Sequence, residues 1–234
     1  MNFLNVTTAI ADTAAMPEFS QVAEQQQAGL SFWSLAMTGG WLMLPLVALS
    51  IISIYIFFER LAVIRSAAQE DSNFMNKIKD YIYDGKLDAA LTLCRNSRTP
   101  YSNMIEKGIT RLGRPMQDVQ VAVENVGNLE VAKLEKGFSM LATTAAGAPM
   151  IGFLGTVTGM VRAFYDMANA GNNADITLLS AGIYQALTTT VAGLIVGIIA
   201  MFAYNFLVAK VDGVVNTMES KSMEFMDMLN KPMK

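Results

Sequence analysis

The sequence predicts an all-α integral membrane protein with three transmembrane helices, the second and third long and extending into a helical cytoplasmic domain. Three observations predict it. The 234 residues are 53% hydrophobic and 16% charged, with a mean hydropathy of +0.35. The charge is segregated: residues 25–58, 137–161 and 176–209 contain no Asp, Glu, Lys or Arg. Each of these runs exceeds the roughly 20 apolar residues that cross a bilayer. A core helix of a soluble protein ordinarily keeps a polar face, and these runs carry no charge on any face.

Composition also narrows the chemistry. His is absent and Cys94 is the one cysteine, so the usual zinc sites, a Cys-His dyad and a Ser-His-Asp triad are excluded. Gly152-x-x-Gly155 lies inside an apolar run rather than after a strand, so it is no phosphate loop. The sequence therefore predicts a non-enzyme with no metal and no cofactor. A net charge of −3 without a basic, aromatic-interleaved patch predicts no nucleic-acid partner.

Taken in order, residues 1–40 read as a polar arm with Asp12, Glu18 and Glu24 and no Lys or Arg. A short interfacial helix is expected at Leu30 to Met37, with Trp33 and Trp41 at headgroup depth. The first span is expected at 41–58, closed by Glu59-Arg60 and slightly kinked at Pro45. Residues 59–136 hold 12 of the 17 Lys/Arg and 11 of the 20 Asp/Glu. Helical spacing appears at Phe74, Ile78, Ile82 and at Leu87, Ala90, Leu91, Cys94, with a turn at Asp84-Gly85. A further helix fits Tyr101 to Leu112, stopped by Gly113 and Pro115. From there a single helix is expected from about Pro115 to Asp166, containing the second span at 137–165. A polar loop is expected at 166–176, the third span at 177–209, and an amphipathic C-terminal helix at 210–234.

Charge sets the expected topology. Residues 59–136 and the tail hold 16 of the 17 basic residues, and only Arg162 lies near the other side. By the positive-inside rule the arm and the short loop are extracytoplasmic, whereas the large segment and the C-terminus are cytoplasmic. Cys94 then sits in a reducing compartment as a small core residue.

The spans themselves carry unusual small and hydroxylated residues. On a helical wheel, Pro149, Gly152, Thr156 and Gly159 share a face of the second span. On the third, Gln185, Thr188 and Thr189 form one stripe, and Gly182, Thr190, Gly193 and Gly197 another. Gly155-x-x-x-Gly159 and Gly193-x-x-x-Gly197 have the spacing that lets backbones approach closely. The glycine stripe reads as packing. An amide and two hydroxyls on one face suit a hydrated or partner-filled interior better than lipid. No Asp, Glu, Lys, Arg or His lies within the three uncharged runs, so any acid needed for proton movement has to come from elsewhere.

Ala148-Pro149-Met150-Ile151-Gly152-Phe153-Leu154-Gly155-Thr156-Val157-Thr158-Gly159-Met160, followed by Gly182-Ile183-Tyr184-Gln185-Ala186-Leu187 and Ala192-Gly193-Leu194, resembles the MotA/TolQ/ExbB proton-channel family. The likeness is nearer to ExbB and TolQ than to MotA, whose subunits have four spans. It covers about residues 41–210. The resemblance implies a bacterial inner-membrane subunit that assembles as a pentamer around a dimer of a single-span partner like ExbD or TolR. That partner brings an Asp into the pore, and a TonB-like protein carries the work to the outer membrane. It implies pore roles for Thr156 and Thr190. Gln185 stands where ExbB and TolQ typically carry Glu.

The wheel places Thr190 about 140° from Gln185. Either the third helix is wound irregularly or Thr190 faces a neighbouring second span. Three readings follow: an ExbB-type motor subunit, a TolQ-like envelope-integrity subunit, and a non-conducting scaffold for partner helices.

Overall fold

The computed structural model describes residues 40–69, 71, 73–170 and 176–230. Residues 1–39 of the expected arm, with its interfacial helix, and residues 171–175 of the short polar loop lie outside them. Seven helices are described: α1 Met43–Ala67, α2 Phe74–Tyr83, α3 Leu87–Ser97, α4 Pro100–Ile109, α5 Met116–Leu134, α6 Phe138–Ala170 and α7 Ile176–Asn230. No strand occurs among the described residues. α1, α6 and α7 are each long and apolar enough to cross a membrane, so the all-α, three-span architecture holds.

Three helix boundaries differ from expectation, each for a local reason. α1 continues past Glu59-Arg60 to Ala67, because charge ends a membrane span without ending a helix. Pro45 is the third residue of α1, where the missing N–H falls among donors that have no intrahelical partner, so no kink is required. α6 runs on through Met167–Ala170, since Met and Ala are strong helix formers. α7 is one helix of 55 residues rather than a span plus a separate tail helix. At 1.5 Å per residue it is about 82 Å long, well over twice the hydrocarbon thickness.

The largest correction concerns the helix expected from Pro115 to Asp166. It is two helices, α5 and α6, separated at Glu135–Gly137. Gly137 has φ +90°, a left-handed conformation that costs a residue with a Cβ about 1–2 kcal/mol. Arg60 supplies the second cause. Its Nη1 donates to the carbonyl of Lys133 at 3.1 Å, while its other guanidinium nitrogens engage Glu59. A cation on the last carbonyls of α5 meets the negative end of the helix dipole.

The chain divides into two compact units. One comprises the described residues up to Ala48 together with Ala148–Ile195; the other comprises Leu49–Gly147 and the residues from Val196 onward. The second unit has the larger apolar core, with Phe74, Ile78, Ile105, Val123, Leu141, Leu207 and Phe225 all buried. α2 and α3 are joined by a turn through Gly85, at φ +71°. α4 starts at Pro100, with the Ser102 hydroxyl accepting from the Thr99 N–H and donating to the Thr99 carbonyl. Cys94 is fully buried in this core. Burial, then the nearby Glu106 charge, push its thiol from 9.0 up to about 12.

Candidate functional site

The site lies in the first unit, where α6 and α7 run side by side. Their glycines set the separation. A Cβ added to Gly152 would stand 2.9 Å from the Thr189 carbonyl oxygen and 3.3 Å from Gly193 Cα. One added to Gly193 would stand 2.5 Å from the Ala148 carbonyl oxygen. Farther along, Gly159 meets Ala186 at 2.8 Å, and Gly182 meets Ala163 at 2.5 Å, measured the same way. The partners are Gly152 with Gly193, Gly155 with Thr189, Gly159 with Ala186, and Ala163 with Gly182. Each step of three or four residues up α6 answers a step of three or four down α7. The helices are thus antiparallel, with backbones close enough that small residues are obligatory at the seam.

Hydroxyls concentrate where the backbones are closest. Thr190 Oγ1 donates to the Gly152 carbonyl at 2.9 Å and is in short contact with Thr156 Oγ1. Thr156 Oγ1 also lies 3.3 Å from the same carbonyl, and Thr189 Oγ1 lies 3.5 Å from it. Each hydroxyl has one hydrogen and can both donate and accept. With the Thr190 hydrogen on Gly152, the Thr156 hydrogen points to Thr190 and forms a two-hydroxyl chain ending on a carbonyl. Thr189, 2% exposed, makes its shorter bond to the Ala186 carbonyl at 2.7 Å.

The sequence-selected residues thus fall into different places. Thr156, Thr189 and Thr190 meet around Gly152. Thr188 is buried and bonds back to the Tyr184 carbonyl of its own helix at 2.9 Å, outside the cluster. Gln185 is exposed and lines a separate polar groove of about 400 Å³ with Thr158, Arg162 and Asp166, bordered by Gly155 and Thr189. The 140° offset is therefore resolved without irregular winding. Thr190 faces the second span, and Gln185 flanks the seam. Pro149 is half-buried on α6, and Gly197 is buried on α7.

Sequence reasoning did not find the Gly152 carbonyl, because a backbone acceptor leaves no signature in side-chain patterns. The constant pairing of small residues, 152 with 193 and 159 with 186, was available as a signal. No carboxylate bonds to the threonines, and no cluster of His, Cys, Asp or Glu suited to a metal occurs among the described residues.

Fold and site together define a multi-span helical membrane protein whose tightest helix seam carries hydroxyls and no acid. The model of the MotA/TolQ/ExbB proton channel family matches residues 96–220, a stretch containing every residue of the cluster, and the chain belongs to that family. The ExbB-like 1 biopolymer transport protein of Synechocystis sp. is similar, 32% identical over 177 residues, 74% of this chain and 69% of that one. The Tol-Pal system protein TolQ of Haemophilus influenzae is 29% identical over 180 residues, 72% of this chain and 78% of its own. The biopolymer transport protein ExbB of Xanthomonas campestris pv. campestris is 39% identical over 88 residues, 38% of this chain and 34% of its own.

Proposed function

We propose that this chain is an ExbB-type proton-channel and motor subunit of the bacterial inner membrane, with the Thr156–Thr190 pair on its proton path. The observation that carries the reading is the hydroxyl chain ending on Gly152, placed in a seam without a titratable group. Hydroxyls can pass a proton along but cannot store one near neutral pH. A carboxylate is therefore supplied by a partner, a single-span protein like ExbD or TolR. Gln185, with Arg162 and Asp166 beside it, forms a polar mouth rather than the titrating centre. In this reading the chain is a homo-oligomer, a pentamer by family resemblance. Its N-terminus is periplasmic and its C-terminus cytoplasmic. It energises TonB-dependent transport.

The similarity to TolQ supports a second reading, in which the same subunit serves envelope integrity. The experiment that tests the channel role is proton flux into liposomes containing the protein and its partner. Flux is expected only with both proteins present, and Thr156→Val or Thr190→Val abolishes it. Unchanged flux in both variants overturns the role of the hydroxyl pair. Absence of flux under all conditions favours a scaffold.

A further inference from the structure

The second unit contains a groove that the channel reading does not use. It has a volume of about 680 Å³ and lies between α5 and the last turns of α7. On α5 its lining recurs at Met116, Gln120, Glu124, Asn128 and Val131; on α7 it recurs from Val215 to Asn230. Each wall is one face of a helix about four turns, or roughly 22 Å, long. Two parallel walls of that length take a third helix, the helix-in-groove mode of recognition.

The lining chemistry narrows the occupant. Met104, Met116, Met218, Met223 and Met226 line the groove. Methionine is unbranched and polarizable, so such a surface adapts to the apolar face of an inserted helix. The polar residues around it include Glu124, Glu219 and Asp227, and neither Lys nor Arg is among the lining residues. All three acids are exposed, and no ion pair neutralises them among the described residues. The chain's own arm, residues 1–39, has no basic residue to match them.

We infer that this groove docks a basic amphipathic helix of a partner protein, its apolar stripe on the methionines and its Lys/Arg face toward Glu124, Glu219 and Asp227. The inference does not depend on proton conduction, and its test reads binding alone.

The test uses the full-length protein in phosphatidylcholine nanodiscs, with empty nanodiscs as the blank. The probe is a fluorescein-labelled 18-residue Lys/Leu peptide with leucines at i, i+3, i+4 and i+7, followed by anisotropy. A Glu/Leu peptide of the same pattern and a scrambled Lys/Leu peptide are the controls. The expected result is saturable binding of the basic amphipathic probe only, weakened by added salt. The double variant E219K/D227K binds it at least about tenfold more weakly, the equivalent of one good charge interaction. Both positions are exposed, so the variant retains the fold, which circular dichroism and the thermal midpoint verify. Equal binding by the variant, or equal binding of the scrambled or acidic peptide, overturns the inference. Efficient disulfide cross-linking of Met223→Cys between copies, with no probe bound, also overturns it by showing that a second copy fills the groove.

Discussion

Thr190 of α7 reaches across the helix seam to donate to the carbonyl of Gly152 on α6, 2.9 Å away. It touches Thr156 on the way. A hydroxyl on the glycine-rich face of one span is thus bonded to the backbone of the other. Removing it has two separable effects. Thr190→Val keeps the shape and deletes the bond, at a cost of about 0.6–2 kcal/mol within a membrane seam. Thr190→Ser keeps the bond. Thermal unfolding in detergent should fall modestly for Val and little for Ser. Partner-dependent proton flux should be lost in Val and retained in Ser.

The seam tolerates no added carbon at its tightest points. Gly193→Ala would press a methyl to 2.5 Å from the Ala148 carbonyl oxygen and 3.0 Å from Gly152 Cα. Backbone cannot yield as a side-chain tip can, so a loss of at least 1–3 kcal/mol is expected, roughly the cost of overpacking. Gly213→Ala is the contrasting control, since nothing lies within 4 Å of a Cβ there. It should stabilise α7 by about 0.5–1 kcal/mol. Paired thermal melts check both signs.

The junction between α5 and α6 rests on Gly137 and Arg60. Gly137→Ala forces a Cβ into the left-handed region, at φ +90° and 3.3 Å from Ile56 Cγ2. The expected cost is about 1–2 kcal/mol. Arg60→Met removes the donor to the Lys133 carbonyl and leaves Glu59 without its partner. Hydrogen exchange should quicken selectively in the last turn of α5 in the Arg60 variant.

Phe225 near the end of α7 is fully buried, and its ring occupies the space left by Gly108 of α4. A Cβ on Gly108 would fall 2.5 Å from the ring and 3.0 Å from Val123 Cγ2. Phe225→Ala should cost about 3–5 kcal/mol, as is usual for emptying such a site. Gly108→Ala should also destabilise the fold. Limited proteolysis should then release the C-terminal part of α7 in both variants.

Cys94 gives a pH signature. Its thiol is pushed from 9.0 up to about 12 by burial and by Glu106. The folded state therefore holds this proton more tightly than the unfolded state, and the associated stability is complete below pH 9. It is lost as pH rises from 9 toward 12. Cys94→Ala should unfold with a shallower pH dependence in that window. Maleimide should label native Cys94 slowly and the denatured protein fast.

Sequence patterning was most informative where it reported solvent. The three uncharged runs located the spans because charge is expelled from hydrocarbon, and the spacing of Phe74, Ile78 and Leu87 located α2 and α3. Three features escaped it because they depend on contacts remote in sequence. The break at Gly137 depends on Arg60, 77 positions earlier. The junction between Thr190 and Gly152 depends on helix register, and the apposition of Gly108 and Phe225 on how the end of α7 returns to α4. The glycines drew attention as packing residues, but which one presents its carbonyl to the threonines became visible only when the helices were paired.

α7 has one further consequence. It contains no proline over its 55 residues, whereas α6 carries Pro149 within it. The Ala145 carbonyl of α6 therefore lacks the N–H that a helix would ordinarily supply to it four residues on, whereas α7 loses no backbone donor to a ring nitrogen anywhere along its length.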